Sequence, residues 1–474
     1  MSSESPGPSF WQRPLDSVWF YAFAAGVLIV GFLATQVEIG GDPRPLGDHT
    51  DIAKLHERDD VNLLFILIDT LRADRLGAYG YSRDTSPVID GLADTGVRFA
   101  EQLAQSSWTK CSMASLWTGL YPVRTDVTRS HQGISPDALM PAEILRDAGY
   151  RTFALWRNGW IAPKFGFHQG FEVYHTPKPQ RLSPSVRREK PTLGVAGTDQ
   201  DTIRSAVEFL RTHGDQRWFL YLHLMDLHQY VYDEDTALFG TSYSSIYDNS
   251  IRWEDRIVGG LINEIDHRGL RDKTLIVLAS DHGEAFGEHG REGHARDVYG
   301  EVTATPLILS FPFRLSEPVV VETPTENVDL WPTLLDLLQL PPLVDPDGRS
   351  RMPELLSAAR GSEPLPQSGP RFAHIDQNWA RFEKPALPIV SVSDGSFRLL
   401  IGGSAGRGRL FDRSSDPREQ TDLSEEQPET LARMQQLARS YLDKPTAPWG
   451  PAPEVGIGEA ELQQLRALGY SVEN

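Results

Sequence analysis

The chain has 474 residues, 40% hydrophobic and 23% charged, an ordinary globular make-up with room for one large domain and an appendage or for two to three average domains. A formal net charge of −19 excludes nucleic acid and anionic membrane surface as main partners. The lone cysteine, Cys111, excludes an intramolecular disulfide framework.

Residues 1–16 form a polar tail, and residues 17–37 carry no charge, a run long enough to cross a bilayer once. The run is long for a signal peptide and no A-x-A site follows it, so a retained transmembrane helix is expected. The acidic bulk of the chain would then lie outside the cytoplasm, in the periplasm or extracellular space. Residues 38–60 are polar with Gly and Pro and form a linker.

From residue 61 apolar runs alternate with helical patterns. Residues 61–68 read as a strand buried on both faces, ending in Asp69. A helix at 85–96 and a strand at 97–103 lead into residues 106–122 (SSWTKCSMASLWTGLYP). There hydroxyl side chains and Cys111 gather at the start of a short helix that stops near Thr118-Gly119. A helix at 141–149 and a strand at 151–156 bring the chain to Asn158. A helix at 201–213 and a strand at 218–222 follow, running into His223, Asp226 and His228. Residues 229–250 read as loop and 251–270 as an amphipathic helix. The strand 274–279 then ends in Asp281-His282, with His289 and His294 beyond it. A strand at 305–311 and a helix at 328–338 close the unit.

Alternating strands and helices, with polar residues repeatedly at strand ends, predict an α/β fold around a mostly parallel sheet. The catalytic domain is placed at 61–345. Residues 341–369 read as a connection, 370–445 as a small α+β subdomain, and 446–474 as a tail with a short helix at 459–468.

In open parallel sheets ligands gather beyond the carboxyl ends of the strands. Asp69, Thr109, Asp281 and His282 would supply three oxygens and one imidazole, a set suited to a divalent cation without deciding between Ca²⁺, Mg²⁺, Mn²⁺ and Zn²⁺. Each has an ordinary alternative. Asp69 can cap a turn, Asp281-His282 can be a satisfied turn, and the histidines and Lys110 can be surface residues.

Together the motifs resemble the sulfatase-like hydrolases and transferases of the alkaline phosphatase superfamily. The resemblance rests on residues 67–77 (LIDTLRADRLG), 107–122, 223–228 (HLMDLH), 280–283 (SDHG) with 288–290 (EHG), and 328–338 (VDLWPTLLDLL). It continues in 410–423 (LFDRSSDPREQTDL) and 465–470, and covers roughly residues 60–440. It implies an alkaline-phosphatase-like fold and a metal-dependent hydrolase of sulfate or phosphate esters. The substrate would be an anionic glycan, lipid or small molecule. Sulfatases of this kind convert the cysteine of Cys-x-Pro-x-Arg to formylglycine, but here Met113 and Ser115 follow Cys111 and no formylglycine is expected. Aligning Thr118-Gly119 puts Thr109 at the nucleophile position, as in phospho-transferring members. Thr70 stands where sulfatases carry a second aspartate. The resemblance further implies His228 or His294 as the acid for the leaving group, and Lys110 and Asn158 as holders of substrate oxygens. A phospholipid-headgroup transferase and a non-catalytic binder of anionic glycans are the alternatives.

Overall fold

The computed structural model describes residues 42–177 and 197–458 apart from 368, 382, 404 and 405, together with 21–23, 25, 462 and 463. The expected membrane helix at 17–37 and the terminal helix at 459–468 therefore lie almost wholly outside the described residues. Among the described residues no helix is long and apolar enough to cross a membrane.

The central sheet has eight strands: β1 (Asn62–Ile68), β2 (Val97–Phe99), β3 (Arg151–Leu155), β4 (Val173–His175), β5 (Trp218–Leu224), β6 (Thr274–Ala279), β7 (Leu307–Ser310) and β8 (Val319–Val321). Their order across the sheet is β8-β2-β7-β6-β1-β5-β3-β4. Only β7 runs against its neighbours. The apolar run of β1 has a simple cause, because its alternate residues enter two different cores. Leu63, Phe65 and Leu67 pack on one face, and Leu64, Ile66 and Ile68 on the other. Each such fully buried side chain contributes about 1.5–3 kcal/mol, which is why the strand tolerates no polar position between Leu63 and Ile68.

Among the helices that cover the sheet are α1 (Pro87–Asp94), α2 (Thr109–Thr118), α3 (Asp199–His213), α4 (Tyr243–His267) and α5 (Leu330–Leu337). Leu116 and Trp117 of α2 and Trp331 of α5 join the core of Phe65; Ile89 of α1, Phe209 of α3 and Val258 of α4 join that of Ile66. All ten residues of α2 are buried. The helix ends at Gly119, whose φ of +69° is the left-handed cap that glycine adopts without penalty. A Cβ there would sit 3.0 Å from Leu343 and 3.1 Å from Pro346, so the stop is fixed by crowding as well as by backbone conformation.

A four-stranded antiparallel meander follows: β9 (Arg371–Asp376), β10 (Pro388–Asp394), β11 (Phe397–Gly402) and β12 (Arg409–Asp412). Helix α6 (Pro428–Leu442) lays Met434, Ala438 and Tyr441 on it, in a core that also takes in Tyr121 and Val328 from the catalytic part. The described residues from Arg44 onward cluster as one compact unit.

Two expectations change. The segment 229–250 is not loop throughout, because α4 begins at Tyr243, where Ser242 caps the helix by accepting from the Ser245 N–H. Its first turns contain Ser, Asn and Asp, which favour non-helical conformations and mask the periodicity. The stretch 341–369 also holds a helix, Met352–Ala359, with Leu355 buried and a proline in its first turn.

Candidate active site

Four neighbouring parallel strands, β6, β1, β5 and β3, end on the same edge of the sheet. Asp281-His282, Asp69, the 225–229 turn and Asn158 follow those ends in the chain. Helix α2 delivers Thr109 to this edge as its first residue. Its Ser112 hydroxyl donates to the Asp281 carbonyl at 2.6 Å, which ties the helix to the end of β6.

Asp69, Asp281 and His282 are fully buried, and one ligand atom from each falls within 4.8 Å of the others. The Thr109 hydroxyl lies 3.2 Å from His282 Nε2 and accepts from Asn158 Nδ2 at 3.2 Å. Asn158 also donates to Asp69 Oδ2 at 2.7 Å. His282 Nδ1 sits 3.0 Å from the Gly283 carbonyl, an arrangement in which Nδ1–H donates and the Nε2 lone pair turns toward the carboxylates and Thr109.

The charges of this cluster are poorly matched. Burial pushes the Asp69 carboxyl up, but the imidazoles of His228, His223 and His282 outweigh it and hold the group well below the usual carboxylate range. Burial and the charge of Asp69 push Asp281 up. Asp69 Oδ1 and Asp281 Oδ2 are both buried without a hydrogen-bond partner. Two orphaned carboxylate oxygens, an inward imidazole lone pair and a threonine hydroxyl fit a divalent cation, because unpaired buried acceptors are costly and a cation would satisfy both.

His294 stands beside this cluster, its ring centroid 4.6 Å from that of His282 and 5.0 Å from that of His228. Its Nδ1 is 3.0 Å from Glu284 Oε2. Burial lowers the His294 pKa, but Glu284 overrides it and the net direction is up. For His228 burial wins over Asp69, and the pKa falls to about 4. The two histidines are therefore unequal: His294 is the one disposed to carry a proton.

The structure brings together Asp69, Thr109, Asn158, Asp281 and His282, with His228 and His294 at their side. Lys110 is placed differently. Its ammonium is buried, donates to the carbonyls of Ser130 at 2.5 Å and Gln132 at 2.8 Å, and lies 3.9 Å from the centre of the Phe165 ring. Burial drives its pKa well down, so Lys110 tethers the 130–132 segment instead of presenting a charge to an anion. Thr70 adopts φ +66°, unusual for a β-branched residue, and turns its hydroxyl onto the Asp69 carbonyl.

Two further side chains, neither given a role by the sequence, complete the cluster. His223 Nε2 reaches Asp69 Oδ2 at 3.0 Å while Tyr221 OH lies 2.8 Å from its Nδ1. Glu284 backs His294. His223 is alone visible in the sequence, as an inward polar residue at the end of an apolar strand.

The family model for sulfatases matches residues 61–340, more than half of the chain. The chain belongs to the sulfatase family. As such it is an ester hydrolase with an alkaline-phosphatase-like fold. Arylsulfatase K of Xenopus laevis is 24% identical over 428 residues, covering 76% of this chain and 78% of that protein. A putative sulfatase from Bacteroides thetaiotaomicron superposes with a TM-score of 0.68 at 18% identity, covering 81% of this chain and 92% of that one. The phosphonate monoester hydrolase of Agrobacterium radiobacter superposes with a TM-score of 0.63 at 21% identity, covering 80% and 95%. Within this sulfatase Cys111 faces away from the cluster's chemistry. Its Sγ lies 3.9 Å from the His374 carbonyl, and burial pushes the thiol up to about 12.

Proposed function

We propose that this sulfatase cleaves an anionic sulfate or phosphorus ester through a covalent Thr109 ester. The observation that carries the reading is the placement of Thr109 Oγ1 between His282 Nε2 and Asn158 Nδ2, beside two carboxylates with orphaned oxygens. The named relatives support both ester classes, one being an arylsulfatase and another a phosphonate monoester hydrolase.

Asp69, Asp281, His282 and Thr109 would hold the divalent cation; when bound it lowers the pKa of a neighbouring hydroxyl and offsets charge on a non-bridging ester oxygen. The protein's own groups account for the rest. Asn158 fixes the Thr109 oxygen by donating to it, and loss of the hydroxyl proton frees the lone pair that attacks. In the first step the Thr109 oxygen forms a bond to sulfur or phosphorus and its proton passes to solvent. The bond to the leaving oxygen breaks, and His294 protonates that oxygen. Because Glu284 occupies Nδ1, the proton that His294 gives is on Nε2. In the second step water attacks the sulfur or phosphorus and gives a proton back to His294; the bond to the Thr109 oxygen breaks, that oxygen takes up a proton from solvent, and sulfate or the phosphorus acid leaves.

The test is a panel of 4-nitrophenyl sulfate, 4-nitrophenyl phosphate, bis(4-nitrophenyl) phosphate and 4-nitrophenyl phenylphosphonate, each with Ca²⁺, Mn²⁺ and Zn²⁺. At least one combination turns over and Thr109→Ala removes it. Full activity in Thr109→Ala would overturn the mechanism. The uncharged run at 17–37 supports a membrane anchor, and the reading further places the catalytic part outside the cytoplasm.

A further inference from the structure

A second set of buried charges lies behind the ends of β3 and β5. Arg157, fully buried, donates from Nη1 to Asp199 Oδ1 at 2.7 Å and to Asp226 Oδ1 at 2.5 Å, and from Nη2 to Gln229 at 3.1 Å. Asp199 opens α3, and its Oδ2 accepts the N–H groups of Met225 at 2.6 Å and Asp226 at 2.5 Å. Asp226 Oδ2 accepts from Trp253 Nε1 on α4 at 3.0 Å and from Asp199 N at 3.2 Å. Glu254, the next residue of α4, accepts the Leu227 N–H at 3.1 Å on Oε1, while Oε2 has no N–H or hydroxyl donor.

Three dry carboxyl groups around one guanidinium cannot all be ionised without a large desolvation cost. Burial and the charge of Asp199 push Glu254 well above the usual range. A proton on Glu254 Oε2, shared with Asp199, is the economical way to satisfy that oxygen.

The set borders the Thr109 centre along the chain and through the 225–229 turn, to which Asp226 belongs and whose N–H groups Asp199 and Glu254 hold. Arg157 precedes Asn158, and Glu254 grips the residue before His228. Asp199 holds the two N–H groups that start the 225–229 turn. Resting on the reading of Thr109 as nucleophile, we propose that Arg157, Asp199, Asp226 and Glu254 form a positioning array that keeps Asn158 on Thr109 and His228 beside His294. None of the four need touch substrate.

Four variants of the full chain test this: Asp226→Asn, the milder Trp253→Phe in case the first does not fold, Arg157→Lys and Glu254→Gln. Glu254→Gln keeps a neutral donor toward Asp199 and is expected to stay within about twofold of the parent. Asp226→Asn and Arg157→Lys are expected to lose about 100-fold in kcat, the scale of an ångström-sized misplacement, and Trp253→Phe about tenfold, with KM nearly unchanged. The loss should be larger for phenyl than for 4-nitrophenyl esters, because a poor leaving group depends more on the aligned histidines. Equal loss for both leaving groups would show a merely structural role and overturn the proposal. So would a Glu254→Gln variant as damaged as Asp226→Asn, since Glu254 would then act as a charge, as a cation ligand does. A crystal structure of Asp226→Asn, or of Trp253→Phe, reads the same question without turnover, and so separates it from the Thr109 reading. Asn158 Nδ2 leaves the hydrogen-bond range of Thr109 Oγ1 if the array positions it; an unmoved Asn158 and His228 would contradict the proposal.

Discussion

Thr109 owes its environment to three strand ends that lie far apart in the chain. The hydroxyl, the Asn158 amide and the Asp69 carboxylate form a continuous hydrogen-bonded set closed by His282. Removing one acceptor from the carboxylate pair should weaken cation binding more than folding, since both orphaned oxygens already sit unpaired. Asp281→Asn is expected to lower Mn²⁺ affinity at least about tenfold, the scale of loss seen when metal-supporting groups are altered, as read by titration followed by electron paramagnetic resonance. Unchanged affinity would place the cation elsewhere. Cys111 makes the opposite prediction. With its thiol pushed up to about 12 and its side chain 1% exposed, it should resist iodoacetamide in the native protein, and Cys111→Ala should keep activity within about twofold. The sequence made Asp69, Asp281-His282 and Thr109 legible because each ends or begins a strongly patterned element. Lys110 shows the limit: one residue along a helix turns a side chain by about 100°, and this one points into Trp108, Trp160 and Phe165 rings instead of the cluster.

At the scale of elements, β1, β5 and β6 were readable as uniform apolar runs because both faces of each are covered. The start of α4 was not, because Tyr247, Asp248, Asn249 and Ser250 are buried by tertiary contacts that no local pattern announces. Nor was the Arg157 array, whose members are up to 97 positions apart from Arg157 to Glu254. The meander carries its own pH-sensitive element. His374 of β9 is buried with Nδ1 3.2 Å from Tyr441 OH of α6, and burial lowers its pKa from 6.5 to about 4. The unfolded chain therefore binds a proton that the fold refuses between those values. The associated stability is present above pH 6.5 and is lost as pH falls toward 4, by about 3 kcal/mol at the lower limit. Urea unfolding at pH 7 and pH 4 should show His374→Asn losing less stability than the parent on acidification. An equal loss would assign the acid sensitivity to other groups.

For the whole molecule, an α/β layer structure brings chemistry to one sheet edge, and the meander with α6 shares Tyr121 and Val328 with the catalytic core. The apolar stretch at 17–37 makes a separate prediction. Detergent phase separation should carry the full chain into the detergent phase and leave a chain beginning at residue 44 in the aqueous phase; partition of the full chain into water would exclude an anchor. The proposed catalysis in this molecule turns on bond formation at one hydroxyl. The most direct measurement mixes enzyme with the ester it turns over fastest, quenches in acid within one turnover, and maps the peptide containing residues 106–122 by mass spectrometry. One added sulfuryl or phosphoryl group is expected on Thr109, absent from Thr109→Ala. An unmodified Thr109 peptide during steady turnover, or the added group on another residue, would contradict it.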